Sequence, residues 1–398
     1  MAQAISEQKR PSAGFRFRPT DLFWILGAIA LLIGAVGMLD RLRFGLAPTA
    51  IGSYVPWGLW VGFYDYLVWL EVGSLLLFSA LVYIAHNESL AKIKPLVLFT
   101  GFTVLLMALI LVAMDLGHFE RFWHVYVYAD FGSMITWMVW LHTAYLILLS
   151  VELFLALRGT GKGLLKALGI ISLPLGLMLI LVSGSIFGVV AARPLWNTSS
   201  LPLMFFISAL AAGASLLLLI VTIFWKDKKS DEFAQLTQLL ARIAGWLTLG
   251  GTFIAGVIAF TILYQGGGNP QRAAALQLIL SGPFWWSFWI VHILLGVAVP
   301  VVIYFAFYKS RWLLMIGAAL ASITFVAVTL NIVIPTLVTE ELTGLAAAYH
   351  HPKLSVDYVP NLNEWLVVTF VFGFGAVLYG LGLRFLPVLP KDTQANEE

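Results

Sequence analysis

The sequence predicts an all-α integral membrane protein in which ten helices cross the bilayer. Three observations favour this fold class. The 398 residues are 61% hydrophobic and 11% charged, whereas an ordinary soluble domain is roughly 25% charged. The apolar residues form ten runs, each long enough to cross a hydrocarbon layer about 30 Å thick. Basic residues concentrate in every second segment between these runs, as in other multi-pass membrane proteins.

A hydropathy window of about 19 residues places the helices in order along the chain. The predicted spans are 21–39, 57–84, 95–115, 133–156, 168–190, 201–225, 241–264, 283–307, 312–336 and 364–385. Residues 1–20 are polar and basic, and no small-residue cleavage site follows the first apolar run. The first span is therefore expected to be a retained helix and not a signal peptide. The longest outer segment, 338–363, has room for one short helix and a loop, so no soluble domain is expected.

The charges predict the orientation of the chain. Sixteen Lys and Arg residues lie in segments on the same side as the N-terminus, and six lie on the opposite side. By the positive-inside rule, both termini are expected in the cytoplasm; Arg242 lies at the inner mouth of the seventh span. The net charge of +3 is too small to suggest nucleic-acid binding. The absence of cysteine excludes disulfides and cysteine-ligated iron–sulfur clusters within this chain, so any such cluster must belong to a partner.

Two pairs of spans resemble each other in sequence. Residues 62–77 of the second span match 203–218 of the sixth, and 132–142 of the fourth match 282–292 of the eighth. This four-span period predicts two four-helix bundles in the same orientation, flanked by the first and tenth helices. The predicted parts are a cytoplasmic segment 1–20, a flanking helix with its outer loop 21–56, a first bundle 57–192, a second bundle 193–338, and an outer loop, helix and cytoplasmic tail 339–398.

The second span carries two acids, Asp65 and Glu71, inside its apolar run. An ionised carboxylate in hydrocarbon is costly, so both side chains are expected to face protein or a wet cavity. At a rise of 1.5 Å per residue, Asp65 lies about 12 Å and Glu71 about 21 Å below the outer face. The aligned positions of the sixth span are apolar, which predicts that the first bundle is the functional half and the second a scaffold. His142 and His292 occupy aligned positions, which favours a structural role for that position.

The third span ends at Asp115, and the outer loop 116–132 that follows is rich in polar and aromatic side chains. Its candidate functional residues are His118, Arg121, His124 and Tyr128. The pattern suits either the outer wall of a ligand pocket or a solvated loop anchored by aromatic rings. On the inner side, Glu152 is expected either to meet the lipid headgroups or to pair with Arg242.

Several motifs resemble the NrfD-like family of polysulfide-reductase-type membrane subunits. They are YVPWGLWVGFY at 54–64, DLGHFERFW at 115–123 and ARPLWNTSSLPLMFFISALAAGA at 192–214. The tail YVPNLNEWLVVTF at 358–370 is similar to the ten-helix branch that includes hydrogenase and sulfur-respiration membrane subunits. The resemblance runs from about residue 40 to residue 390.

The resemblance implies a subunit of a respiratory oxidoreductase in a prokaryotic inner membrane. Such a subunit binds an exchangeable quinone, either menaquinone or ubiquinone, and holds no haem, iron–sulfur cluster or metal of its own. The implied partners are an outer-face iron–sulfur subunit with ferredoxin-like clusters and a further catalytic or cytochrome subunit, so the chain is not expected to be catalytic alone.

One stretch departs from the family pattern. Many relatives carry a tyrosine or histidine near the middle of the helix that precedes the arginine–proline motif, where this chain has only Ser183 and Ser185. Either Tyr64, Asp65 or a histidine of the outer loop supplies the missing hydrogen bond, or the quinone site is altered or lost. A chain without the site would act as an anchor or a conformational coupler.

Quinone chemistry moves two protons with two electrons, which selects candidate residues by their ability to bind the ring or transfer a proton. The candidates for proton transfer at the ring are Asp65, Asp115, His118 and His124. The candidates for holding the ring are Trp57, Trp60, Phe63, Tyr64, Arg121 and Tyr128. A proton path toward the inner face would use Glu71, His142, Tyr145, Glu152 and Arg242. The same carboxylates would equally suit buried hydrogen-bonded pairs.

Two other functions are compatible with the sequence. A b-type cytochrome anchor would use His142 and His292 as haem ligands, each about 15 Å deep, but equivalent positions in different bundles do not face each other. A secondary transporter suits repeats with acids near the midplane, although the polar residues of transporter repeats usually occur in both halves.

Overall fold

The computed structural model of the chain describes residues 17–264, 270–342, 344–348, 351 and 353–389. Within these residues, ten helices are long and apolar enough to cross a membrane. They are α1 (Asp21–Phe44), α2 (Leu59–Ile84), α3 (Lys94–Asp115), α4 (Met134–Arg158), α5 (Lys162–Gly188), α6 (Ser200–Phe224), α7 (Asp231–Tyr264), α8 (Ser287–Ala306), α9 (Arg311–Leu337) and α10 (Leu362–Phe385). All ten predicted spans are confirmed, and the chain is a multi-pass integral membrane protein. Four basic residues that contribute to the predicted orientation lie outside the described residues: Lys9, Arg10, Arg16 and Lys391.

Helix α7 is longer than hydropathy predicts, because it begins at Asp231 and not near 241. Asp231 and Glu232 place negative charge in its first turn, which favours a helix N-terminus. Glu232 also pairs with Lys92 at 2.6 Å, and Phe233 is buried. A hydropathy window does not detect this extension because the first turn is charged.

The connecting segments contain short helices. Residues Phe119–Arg121 and His124–Val127 form single turns between α3 and α4. Helix Pro270–Leu280 precedes α8 and is not predicted by hydropathy. The outer segment between α9 and α10 contains the one short helix that its length predicts, Leu345–Ala348.

The helices pack as two rings of four. In the first bundle, α2 contacts α3 and α5, and α4 contacts α3 and α5; in the second, α6 contacts α7 and α9, and α8 contacts α7 and α9. The bundles meet where α2 packs on α6 and α9, and where α5 packs on α6. Helix α1 packs along α10, which contacts α3 and α2. These helix contacts agree with a period of four spans. That the two bundles have the same orientation stays a prediction.

Helix α2 lies at the centre of the molecule, with 78% of its apolar stretch buried against 17% for α7. Two glycines allow its close approach to α6. A Cβ atom on Gly73 would lie 1.8 Å from the carbonyl oxygen of Ala209, and one on Gly213 would lie 2.1 Å from the backbone of Gly73. Small residues let membrane helices approach backbone to backbone, so this contact fixes the two bundles against each other.

Candidate functional site

The outer end of α2 is surrounded by aromatic rings that belong to different neighbours. Trp57 stacks on Trp196 with ring centroids 5.9 Å apart. Trp60 is fully buried, and its Nε1–H donates to the carbonyl oxygen of Glu364 at 2.9 Å. Phe63 meets Trp365 of α10 edge to face at 6.1 Å. Of the three candidate rings, Trp57 therefore faces the arginine–proline segment, and Trp60 and Phe63 face α10.

Asp65 and Ser183 form a buried pair between α2 and α5. The Ser183 hydroxyl donates to Oδ1 of Asp65 at 3.3 Å, and neither side chain is more than 2% exposed. Ser183 is one of the two serines in the stretch where relatives carry a larger polar side chain. The serine thus gives Asp65 a hydrogen bond within the protein.

Tyr64 faces α4, where its hydroxyl lies 3.5 Å from Nε2 of His142. The other ring nitrogen, Nδ1, lies 2.9 Å from the carbonyl oxygen of Met138. Because a carbonyl only accepts, Nδ1 carries the proton and Nε2 offers its lone pair to the tyrosine. Tyr64 and Asp65 thus have polar partners on two different helices of the first bundle.

Glu71 is fully buried on α2 below this pair of residues. Within the described part of the chain, neither of its carboxylate oxygens has a hydrogen-bond partner. It interacts electrostatically with Tyr64 and with Tyr145 of α4. A buried polar group that lacks a partner is rare in proteins and often belongs to a functional site or contacts water.

The polar line continues from Tyr145 toward the inner face. Tyr145 is buried and also interacts electrostatically with Glu152, two helical turns further along α4. Glu152 in turn interacts with Lys94 at the start of α3 and with Tyr83 of α2. Of the predicted path residues, Glu71, Tyr145 and Glu152 are thus linked by electrostatic interaction in the first bundle, while the Tyr145 hydroxyl, like Glu71, has no hydrogen-bond partner among the described residues.

Arg242 has a different environment from the rest of the predicted proton path. It is exposed on α7, whereas the cation that interacts with Glu152 is Lys94. The structure thus brings Lys94, a residue that the sequence suggests only as an orientation signal, into the place predicted for Arg242.

The outer loop presents its charged residues to solvent. Nδ1 of His118 lies 2.8 Å from Oε1 of Glu120, and the His118 side chain is 69% exposed. Two hydrogen bonds lower the pKa of Glu120: the larger contribution comes from a backbone N–H, and the smaller one from His118. Arg121 and Tyr128 are exposed as well, and the ring of His124 packs edge-on between Trp123 and Tyr128. In this isolated chain the loop is solvated at its tip.

Asp115 belongs to a buried cluster of polar residues that the sequence did not lead us to expect. Arg41 at the end of α1 is 1% exposed, and it donates to the carbonyl oxygens of Met114 and Leu116 on either side of Asp115. Arg41 and Asp115 attract each other electrostatically. Oδ1 of Asp115 has no hydrogen-bond partner among the described residues. The sequence signal was an arginine at the end of an apolar run, which we interpreted only as an outer-face charge.

The same region contains a latch formed by Tyr358 and Glu364. The Tyr358 hydroxyl donates to Oε1 of Glu364 at 2.7 Å and accepts from the backbone N–H of Leu59 at 2.8 Å. Burial and the adjacent carboxylate raise the pKa of Tyr358 far above its ordinary value. Asn361 and Glu364 also form a capping box at the start of α10, a pattern that the sequence contains.

The arginine–proline motif has a structural role in the fold. Nη1 of Arg193 donates to the carbonyl oxygens of Thr336 and Thr339 at the end of α9, at 3.2 and 2.8 Å. Nη2 lies 2.9 Å from Oε1 of Glu341. Burial lowers the pKa of Arg193 while Glu341 opposes the shift. A cation at a helix C-terminus stabilises the exposed carbonyl groups.

The histidines required by the haem alternative lie in separate environments. Nε2 of His142 faces Tyr64 in the first bundle, whereas His292 lines a cavity enclosed by α6, α7, α8 and α9. They are not placed as two ligands of one haem.

Comparisons with known proteins find one matching family model and several similar proteins. The family model described as "Polysulphide reductase, NrfD" matches residues 49–340. A selenate reductase subunit of Mesobacillus selenatarsenatis is 31% identical, covering 94% of this chain and 96% of that protein. The Hdr-like menaquinol oxidoreductase integral membrane subunit of Archaeoglobus fulgidus is 24% identical, covering 92% and 93% of the two chains. The menaquinone reductase integral membrane subunit of Nitratidesulfovibrio vulgaris is 24% identical, covering 89% and 88%.

Proposed function

The chain belongs to the NrfD polysulphide reductase family, and on this premise we propose that it is the quinone-interacting membrane subunit of a multisubunit respiratory oxidoreductase. The observation that carries the proposal is the pair of buried polar contacts at the outer end of α2, Tyr64 with His142 and Asp65 with Ser183. Two of the similar proteins carry menaquinol or menaquinone in their names. The quinone is an exchangeable substrate, which we take to be menaquinone or ubiquinone.

The side chains present suit the chemistry of a quinone ring. A quinone carbonyl needs a hydrogen-bond donor and, on reduction, a proton. The hydroxyls of Tyr64 and Ser183 are donors, and Asp65 is able to gain or lose a proton. Because Tyr64 and Asp65 are 7% and 2% exposed, the ring reaches them only when side chains at the outer end of α2 move aside.

The buried line below the ring would carry protons across the bundle. Glu71 accepts a proton from the Tyr64 region and passes it by way of Tyr145 to Glu152 through bridging water molecules, since the Tyr145 hydroxyl has no hydrogen-bond partner among the described residues. Lys94 stands beside Glu152 at the inner end. Transfer along this line would make turnover electrogenic. The lack of hydrogen-bond partners for both oxygens of Glu71 within the described residues favours a proton path over a static buried pair.

The outer loop would receive the electron-transfer partner. His118, Arg121 and Tyr128 are exposed at the outer end of the first bundle, on the face nearest to Asp65. We expect an iron–sulfur subunit with ferredoxin-like clusters to dock there, together with a further catalytic or cytochrome subunit. The chain is then inactive by itself, in a prokaryotic inner membrane with both termini in the cytoplasm.

Photoaffinity labelling tests the quinone site. An azido-quinone analogue is cross-linked to the full-length chain in native membranes, and the labelled peptides are identified by mass spectrometry. We expect label in α2, α4 or α5 near Asp65, removed by an excess of unlabelled quinone. Label that is confined to the second bundle, or that persists in the presence of excess quinone, would contradict the proposal.

A further inference from the structure

The second bundle encloses a cavity at the level of His292, with six polar side chains among mostly apolar walls. Helices α6, α7, α8 and α9 all contribute to its walls. The space open to the centre of a water molecule is about 40 Å³, which is room for about three waters. The polar side chains on its walls are Ser208, Ser215, Thr248, Thr252, His292 and Thr324.

The hydroxyl groups of this cavity have acceptor capacity left over. Thr252 donates to the carbonyl oxygen of Thr248, and Thr324 donates to that of Leu320, each at 2.8 Å. Each hydroxyl has a single proton and two lone pairs. Because the protons are used within the helices, the lone pairs remain for donors in the cavity, and water is the small donor that fits the volume.

Helix α8 has an unusual conformation beside the cavity. Residues Ser287–Ala298, which include His292, are wound as a π-helix before the helix continues as Val299–Ala306. Gly296 lies one turn after His292, and a Cβ atom there would come within 2.7 Å of the Thr324 hydroxyl oxygen. π-Helical turns are frequent at functional sites. The glycine lets the hydroxyl of Thr324 approach the same helix as the imidazole.

The cavity corresponds in position to Glu71 of the first bundle. In the predicted repeat, Glu71 aligns with Ala212 and His142 with His292, and both Ala212 and His292 line the cavity. Where the first bundle holds a carboxylate side chain, the second has a methyl group and open space.

We propose that the second bundle holds a cluster of bound water molecules, hydrogen-bonded to His292 and to the hydroxyls of Thr252 and Thr324. A cavity retains water when it is roomy enough for the molecules and offers them several hydrogen-bonding groups. This cavity has the room, and six of its lining side chains carry polar groups. The inference is independent of the quinone site. It implies that the second bundle contains bound water and is not only a scaffold.

Radiolytic footprinting tests for these waters. X-ray pulses generate hydroxyl radicals from water, and bound water oxidises the side chains next to it even where bulk solvent is excluded. Met204 lines the cavity and is 8% exposed, while Met107, at 7% exposed, packs against Gly375 of α10. In the full-length chain in native membranes, we expect Met204 to be oxidised several times faster than Met107. Equal rates would overturn the proposal.

A matched pair of variants locates the waters. Thr252→Val removes a hydroxyl from the cavity with little change in volume, and we expect it to slow the oxidation of Met204. Thr261→Val removes a hydroxyl with the same local bond, to the carbonyl oxygen of Val257, on the exposed side of α7; it should leave Met204 unchanged. An unchanged Met204 rate in Thr252→Val would contradict the assigned water site.

Discussion

Glu71 is a buried carboxylate that lacks hydrogen-bond partners among the described residues. Its carboxylate is fully buried, and within the described residues neither oxygen has a hydrogen-bond partner. A stabilising role would require such a partner, because burying an unpaired polar group costs free energy. The protein keeps the acid nevertheless, which favours a role in moving protons.

Replacing Glu71 with glutamine is expected to abolish proton translocation while the protein still folds. Glutamine keeps the shape of the side chain but has no proton to exchange at neutral pH. The measurement is proton uptake by vesicles that contain the complete complex, during turnover with quinol. Glu88→Gln is the control, because Glu88 is exposed in the segment between α2 and α3. Normal proton uptake in Glu71→Gln would rule out the proposed path.

Tyr358 is not among the candidate residues predicted from the sequence, but its hydroxyl joins two groups of the fold. Tyr358→Phe leaves Oε1 of Glu364 and the backbone N–H of Leu59 without the hydroxyl that joins them. We expect a loss of about 1–3 kcal/mol of stability, measured as a lower midpoint of thermal unfolding in detergent. Tyr128→Phe, at a tyrosine that is 72% exposed, should have no effect.

The pH dependence of this contribution follows from the raised pKa of Tyr358. A tyrosine whose pKa is higher in the folded chain stabilises the fold fully below the ordinary value of about 10, and the contribution is lost as pH rises beyond it. The difference in midpoint between Tyr358→Phe and the parent chain should therefore be constant through the neutral range. A difference that disappears within the neutral range would contradict the assignment.

At the level of helices, the contact between α2 and α6 depends on two glycines. Gly213→Ala would place a methyl group 2.1 Å from the backbone of Gly73. Overpacking of this kind costs about 1–3 kcal/mol, so thermal unfolding should occur at a lower temperature. Gly256→Ala is the matched control on α7, where an added Cβ atom meets nothing within 4 Å. Equal midpoints for the two variants would show that the close approach is not required.

Hydropathy predicts the number and order of the helices because span length and apolarity are properties of single segments. It does not predict the start of α7 at Asp231, since that turn is charged on one side and packs through Phe233 on the other. It also misses helix Pro270–Leu280, which is too short to span the membrane. Such elements are stabilised by contacts with other helices, and a hydropathy window along one segment carries no information about those contacts.

The candidate site was predictable in its acids but not in its partners. Asp65, Glu71 and Glu152 stand out because acids are rare in apolar runs. Their neighbours Ser183 and Lys94 come from other helices, and no spacing in the sequence pairs them with these acids. The neighbours of the aromatic rings are likewise not encoded in one segment, because Trp57 precedes α2 and stacks on Trp196, whereas Phe63 on the helix meets Trp365.

At the level of the whole molecule, the two bundles are joined along α2 but differ in chemistry. The first carries the buried acids from Asp65 to Glu152, and the second carries a cavity lined in part by His292 and hydroxyl side chains. In this account the first bundle exchanges protons with a quinone, and the loop above it faces the electron-transfer partner.

The most direct test of this account is the rate of quinone turnover by the complete complex after Asp65→Asn. Asparagine keeps an oxygen that accepts from Ser183, so the fold should be retained, but it does not transfer a proton. We predict a loss of about 10²-fold or more, the size expected for a missing general acid–base group. Asp227→Asn, in an exposed turn between α6 and α7, should turn over normally. A wild-type rate in Asp65→Asn would contradict the central claim.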